Sequence, residues 1–265
     1  MTDSLHEQPD LTQFNLRLGA FTAILAKGAE QMDAVQRLRA ARFRTQAVGG
    51  DLDRFDALSH HLMICKPPDP APIGVARLRI LTTPDDISAC YSGQFYDLSA
   101  LAQTGNRLVE VGRICIDAPY AHDVDAARAL LAALTRITSS CRADMLVGCA
   151  SFPGAVPERH ADALRYLFDR HPGPAALRSG KRAGMTHVST PGGQAPKQAD
   201  LRQVPALLRL YLGLGGWVSD HAICDPDLDT VHVFTAVEVR AIPPGRLRAL
   251  NALAQEDGAG PVLKS

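Results

Sequence analysis

The segment NRLVEVGRICIDAPY, residues 106–120, constrains the fold more than any other stretch of this chain. Leu108, Val109, Val111, Ile114, Cys115 and Ile116 make a strand-length run that is apolar on both sides of its alternation. Such a strand wants cover on both faces, so it belongs in the middle of a sheet with other layers packed on it. Two charges, Glu110 and Arg113, are nevertheless set into it. Residues three apart on a regular strand face opposite sides. A simple Glu110–Arg113 pair therefore requires a bend, and Gly112 is the residue expected to permit one.

Around this strand, helical and strand patterns interleave. FTAILAK (21–27) reads as a strand closed by Gly28, and 29–43 as a helix with Met32, Val35 and Leu38 near helical spacing. HHLMICK (60–66) and IGVARLRIL (73–81) read as two strands joined by the turn-forming PPDPAP. Residues 91–102 are irregular with a short helical turn. Residues 124–141 predict a helix whose buried face is Val124, Ala127, Leu131, Leu134 and Thr138. A strand over 143–152, a helix near 157–170, a helix over 205–215, a strand over 230–239 and a helix over 244–254 complete the pattern. The expected fold class is α/β (α+β): a mixed, mostly antiparallel sheet with helices on both faces. No G-x-G-x-x-G follows the first strand, which sets the dinucleotide-binding fold aside.

Charge and cysteine usage narrow the function. The 28 basic and 28 acidic side chains cancel, which argues against general nucleic-acid binding, where phosphates demand a basic excess. Six scattered cysteines without a C-x-x-C pair read as reduced thiols of a cytoplasmic protein. The N-terminus is polar and acidic, unlike a signal peptide. No apolar stretch is long enough to cross a bilayer, so contact with the inner membrane surface is expected to be peripheral. The histidines lack metal-ligand spacing, and no metal is expected.

Four segments carry a resemblance: GQFYDLSAL (93–101), VEVGRICID (109–117), LVGCASFPGAVPERHADALRYLFDRH (146–171) and VPALLRLYLGLGGWVSDHAICDPDLDTVHV (204–233). They resemble the ornithine N-acyltransferases, of the N-acyltransferase fold shared with acetyltransferases, over about residues 20–253. Some relatives carry the label "hemolysin-like". The resemblance implies transfer of a fatty acyl group, usually 3-hydroxylated, from acyl carrier protein to the α-amine of ornithine, giving a lyso-ornithine lipid. It implies no separate cofactor, since the acyl group arrives on the carrier's phosphopantetheine. The implied organisation is a disordered lead (1–14), one acyltransferase domain (15–254) with a flap near 172–204, and a disordered tail (255–265). The central strand and the next, MLVGCASF, are expected to splay apart around the pantetheine arm.

A more distant similarity to the acyl-homoserine lactone synthases runs through scattered polar residues. Arg39 and Phe43 match the family's first pair, Asp53 and Asp56 its D-x-x-D loop, Arg77 its early-strand arginine, and Glu110 and Arg113 its E-x-x-R. By this resemblance Glu110 and Arg113 are the catalytic candidates, and Arg39, Phe43, Asp53, Asp56 and Arg77 the substrate-binding ones. The alternative for the charged members is a structural ion-pair network. Arg165, Arg170, Arg178, Lys181 and Arg182 are the candidates for docking an acidic carrier protein, or else a solvated face. Two departures stand out. RAARFRTQA (39–47) lacks the family's tyrosine and following acid, which leaves glutamine or another amino acid as an alternative acceptor. APYAHDVDAA (118–127) lacks the glycines of a coenzyme A pyrophosphate loop. A non-enzymatic, hemolysin-like lipid binder is the distant alternative. It would need an amphipathic cationic helix or an exposed apolar span, and neither is seen.

Overall fold

The computed structural model describes residues 10–43, 50–189, 201–255 and 261–264. The expectations for residues 1–9, for the middle of the flap and for most of the tail lie outside the described residues. Along the chain run β1 (Asn15–Leu18), β2 (Phe21–Leu25), α1 (Gly28–Phe43), β3 (His60–Lys66), β4 (Asp69–Leu81), α2 (Pro84–Ser88), β5 (Tyr96–Asp97) and α3 (Ser99–Ala102). Then come β6 (Leu108–Ile116), α4 (Val124–Ser140), β7 (Met145–Pro153), α5 (Ala161–Arg170), β8 (Gly180–Lys181), β9 (His187–Val188), α6 (Ala206–Gly213), β10 (Trp217–Asp225), β11 (Thr230–Glu238) and α7 (Pro244–Ala254). The chain forms two compact units. One comprises Met1–Ile80, Val111–Ala143 and Pro244–Ser265, the other Leu81–Glu110 and Asp144–Pro243. The class is the mixed, mostly antiparallel α/β arrangement that the sequence predicts.

In the first unit the strand order is β1-β2-β3-β4-β6. β1 through β4 pair antiparallel, with His61 opposite Arg77. Val35 and Leu38 of α1 close over Met63, Cys65, Val75 and Cys115. Helix α4 starts cleanly because the Asp123 carboxylate accepts the N–H groups of Asp125 (2.9 Å) and Ala126 (3.0 Å). Its buried face takes in the predicted Leu134 and Thr138, with Leu131 half-buried, but not the first turn. Val124 is 70% exposed and Ala127 is exposed, whereas Ala126, Ala129, Leu130, Ala133, Leu134 and Ile137 are buried. Alanines dominate the true face because α7 and β2 pack closely on it, and small residues leave the room. The Arg136 guanidinium donates to the Ala254 carbonyl at the end of α7.

In the second unit the order is β6-β7-β11-β10-β9. Residues 108–110 of β6 pair in parallel with β7, from Leu108↔Met145 to Glu110↔Val147. β7 pairs antiparallel with β11 along its whole length, from Met145↔Glu238 to Pro153↔Thr230. Strand β10 was not expected, and its middle explains why. Ser219, Asp220 and His221 interrupt the apolar pattern, and the β10–β11 register shifts between Val218 and Ala222. Inside this irregularity Ser219 Oγ donates to the His221 carbonyl (2.6 Å) and accepts the Phe234 N–H (3.1 Å), so a side chain replaces the missing ladder bond. The unit's core is built on Leu81, Ile87, Tyr96, Leu101, Leu108, Met145, Trp217 and Phe234. No helix among the described residues is long and apolar enough to cross a membrane.

Candidate active site

The first unit gathers most of the charged candidates into one network. Arg39 projects from α1 and is 1% exposed. Its Nε donates to Asp51 Oδ2 (2.9 Å), and its Nη1 and Nη2 grip both oxygens of Asp56 (2.6 and 3.3 Å). Arg77 on β4 donates to Asp53 (2.6 Å) and Asp56 (3.2 Å). Arg113 on β6 donates from Nε to Asp51 (2.9 Å) and from Nη2 to Asp53 (3.2 Å). Three guanidiniums thus face three carboxylates, all presented by one short loop. The loop is folded on itself, since Asp56 also accepts the Asp53 N–H (2.7 Å). Burial alone would raise the Asp56 carboxyl, but Arg39, the Asp53 N–H and Arg77 outweigh it and hold it below the usual range. The Phe43 ring lies 6.0 Å from the Arg113 guanidinium.

Asp51 is the member that sequence reasoning missed. It is fully buried and links Arg39 to Arg113. No signal in the sequence pointed to it: Glu110, Asp53 and Asp56 already balance the three arginines, and the need for another anion arises only because Glu110 has partners elsewhere. Asp53, with its side chain 21% exposed, is the one carboxylate of the three that a cation can reach without dismantling the network.

The bend expected at Gly112 falls one residue later. Arg113 itself takes φ +50, in the left-handed region, and Gly112 has no positive φ. A side chain there costs roughly 1–2 kcal/mol, and the two carboxylates that Arg113 reaches offset it. Lysine at this position would keep the charge and the backbone cost but lose the fork. Arg113→Lys is expected to lose roughly 1.5–3 kcal/mol of stability, read as a lower urea midpoint. A midpoint equal to that of wild type would show that only the counter-charge matters.

Glu110 is in the second unit and has different partners. Its Oε1 accepts the Ser92 N–H (2.7 Å) and its Oε2 the Tyr91 N–H (3.0 Å). It is 6% exposed. The 3-10 turn Ser92–Gln94 presents those donors, and Gly93 is required in it, since a Cβ would lie 2.5 Å from the Ser88 carbonyl oxygen. The neighbouring Cys90 thiol is pushed well above its usual range, first by burial and then by the Glu110 charge. The carboxylate is thus fixed by two backbone N–H groups and also accepts from the Cys90 thiol, which leaves it a lone pair for a further donor. This holder was invisible in the sequence because main-chain N–H groups carry no residue signature.

Behind the turn, Tyr96 is buried and its hydroxyl meets the His232 carbonyl (2.8 Å) and Nδ1 (3.1 Å). Burial pulls the His232 ring down to about 4 from an ordinary 6.5. Between those values the unfolded chain binds a proton that the folded chain refuses, so stability is whole above pH 6.5 and falls on acidification towards 4. His232 is expected to account for roughly 3 kcal/mol of that loss. Replacing it by Phe should flatten this part of the stability–pH curve, and an unchanged slope would contradict the assignment.

The basic candidates of the second unit are already engaged to differing degrees. Arg165 is half-buried and tied to Asp162 (2.9 Å). Arg170 pairs with Asp169 (3.0 Å) and Lys181 reaches Ser189 (3.0 Å). Arg178 donates to the Gly173 carbonyl (3.3 Å), and Arg182 to the Gly93 carbonyl of the turn that holds Glu110 (2.6 Å). Arg170, Arg178, Lys181 and Arg182 remain exposed. Among the described residues no cluster of His, Cys, Asp or Glu has metal-holding geometry.

Comparison with known proteins places this arrangement. Residues 36–130 match the acetyltransferase (GNAT) domain family model. The chain is 30% identical over 235 residues to the L-ornithine N(alpha)-acyltransferase of Rhodobacter capsulatus, covering 82% of this chain and 90% of that one. It is 28% identical over 251 residues to the enzyme of the same name from Brucella abortus, covering 85% and 87%. Among solved structures, FeeM, an N-acyl amino acid synthase from uncultured soil microbes, aligns over 89% of this chain and 98% of its own, at 13% identity and a TM-score of 0.46. With that identity and coverage over nearly the whole of the Rhodobacter protein, the chain is an acyltransferase and belongs to the L-ornithine N(alpha)-acyltransferase family.

Proposed function

We propose that this enzyme moves a 3-hydroxy fatty acyl group from the phosphopantetheine thioester of acyl carrier protein to the α-amine of L-ornithine, releasing the carrier thiol and a lyso-ornithine lipid. The observation that carries the chemistry is the buried Glu110 carboxylate, pinned in the central strand by two backbone N–H groups. The names of the relatives support ornithine as the acceptor. An α-amine with a pKa of ~8 to 9 is largely protonated at neutral pH. It must lose a proton before its lone pair attacks the thioester carbonyl. Glu110 accepts the amine's hydrogen bonds and, as general base, takes that proton. The C–N bond forms, the C–S bond breaks, and the thiolate collects a proton.

The start of α4 supports a carrier-bound donor over coenzyme A. Acetyltransferases hold a pyrophosphate on the free N–H groups after the central strand. Here Asp123 already occupies the N–H groups of Asp125 and Ala126, and Asp125 adds a second negative charge. A pyrophosphate would meet carboxylates there. The exposed Arg170, Arg178, Lys181 and Arg182 suit the acidic surface of a carrier protein. This reading places the enzyme in the cytoplasm, passing its product to the inner membrane from the surface.

The test is a matrix of donors and acceptors. The 3-hydroxyacyl group is supplied on acyl carrier protein or on coenzyme A, and ornithine or glutamine is the acceptor. Transfer from the carrier to ornithine is expected to dominate. Saturable turnover with the coenzyme A thioester and none with the carrier would reverse the donor assignment, and preference for glutamine the acceptor assignment.

A further inference from the structure

His232 carries a hydrogen-bonding atom that the protein itself leaves unused. The residue is 1% exposed, with Phe95 4.7 Å and Tyr96 5.7 Å from its ring. The Tyr96 phenol has one proton, and the His232 carbonyl can only accept, so the proton goes to the carbonyl. Nδ1 must then donate to the phenol oxygen. This assigns the tautomer: Nε2 is left with a bare lone pair. Nε2 is buried and has no hydrogen-bond partner among the described residues, a state disfavoured by about 1–3 kcal/mol.

The position of this lone pair gives it a use. Glu110 pairs with Val147 on β7. Val147, Cys149 and Ser151 follow on the same side of that strand. Cys149 and Ser151 stand opposite Phe234 and His232 across the β7–β11 ladder. A second route joins the same two points: the Tyr91 N–H holds Glu110, the Tyr91 ring lies 5.4 Å from Phe95, and Phe95 packs on His232. This face reaches solvent at its outer end, since Ser151 is exposed and Cys149 half-buried although both are within the strand, while Val147, Phe234 and His232 on it are buried. Four residues of β7 span about 13 Å. A strip of that length, with a carboxylate at one end and a neutral acceptor at the other, suits an extended molecule.

We propose that His232 Nε2 accepts a hydrogen bond from an N–H or O–H group on the extended part of the acyl thioester donor. The proposal rests on the reading that the donor is a long acyl thioester. The proton can come from an amide or hydroxyl of the pantetheine arm, or from a hydroxyl of the acyl chain. The ring stays neutral while it does this, and Tyr96 positions it by holding Nδ1.

Nitrogen NMR of the full chain with 15N-labelled histidine tests this without catalysis. The free protein is expected to show His232 protonated on Nδ1 and bare at Nε2. Two unreactive probes separate the sources. S-hexadecyl-pantetheine offers only arm donors, and 3-hydroxyhexadecanoate offers a chain hydroxyl. One of them is expected to move the Nε2 resonance upfield while Nδ1 holds. An Nε2-protonated resting tautomer, or an Nε2 resonance moved by neither probe, overturns the proposal. In turnover, His232→Phe fills the ring's volume without the acceptor, and KM for the thioester is expected to rise by roughly tenfold with kcat nearly unchanged. A fall in kcat at constant KM would mark a purely structural role, and if this variant fails to fold, the wild-type spectra decide. A shifted Nε2 in a protein that acylates no ornithine would retain the inference and remove the acceptor assignment instead.

Discussion

Glu110→Gln is expected to lower turnover by about 100-fold or more, the usual range for removing a general base. Two effects have to be separated. The amide cannot take a proton from the acceptor amine, and this loss is catalytic. It also turns an NH2 group towards either the Tyr91 or the Ser92 N–H, where the carboxylate now accepts at 3.0 and 2.7 Å. Losing one such charge-assisted bond costs roughly 1.5–3 kcal/mol. A domain stable by about 5–15 kcal/mol remains folded after that loss. Turnover and urea unfolding measured on the same preparation therefore separate the two effects. A folded variant that turns over within tenfold of wild type would make Glu110 a fastener for the 91–94 turn and nothing more.

Asp51→Ala is expected to be the most damaging single change to stability, by about 3–5 kcal/mol. Asp51 is sealed from solvent and serves both Arg39 and Arg113. Its removal leaves three guanidiniums facing two carboxylates in a site too dry to dissipate the excess. Arg39 keeps its grip on Asp56, but Arg113 loses the 2.9 Å bond from its Nε while still holding its left-handed backbone. Asp53→Ala should cost less, because its carboxylate is partly solvated already. Urea unfolding checks the order. A loss below 1 kcal/mol for Asp51→Ala would mean that water or backbone motion replaces the missing charge.

The residues that were legible in the sequence share one property: they are charges where the local pattern calls for apolar side chains. Glu110 and Arg113 in an apolar strand are visible on those grounds. The network that collects Arg39, Asp53, Asp56, Arg77 and Arg113 required the family resemblance, since tertiary contact brings them together from α1, one loop, β4 and β6. The misses have separate physical causes. Asp51 reads as a loop residue, because Glu110 counts as the third anion until the fold gives it other partners. Strand β10 was hidden by the Ser219–His221 irregularity, whose missing ladder bonds are supplied by a serine hydroxyl. The bend was assigned to Gly112 on conformational freedom, yet it falls on Arg113, where ion pairs outweigh backbone preference. On α4 the expected Leu134 and Thr138 are buried, but close packing turns the face of the first turns from Val124 and Ala127 to Ala126 and Ala129. Arg182, grouped with solvent-facing cations, also fastens the Gly93 carbonyl.

Acyl transfer to the α-amine of ornithine fixes the position of the new amide, and that position can be read. The purified protein is incubated with 3-hydroxyacyl carrier protein and ornithine labelled with 15N at the α-position only, and the product is fragmented in a mass spectrometer. A single acyl group on the labelled nitrogen is expected. Acylation of the unlabelled δ-nitrogen, or an ornithine that stays free while another amino acid is acylated, would contradict it.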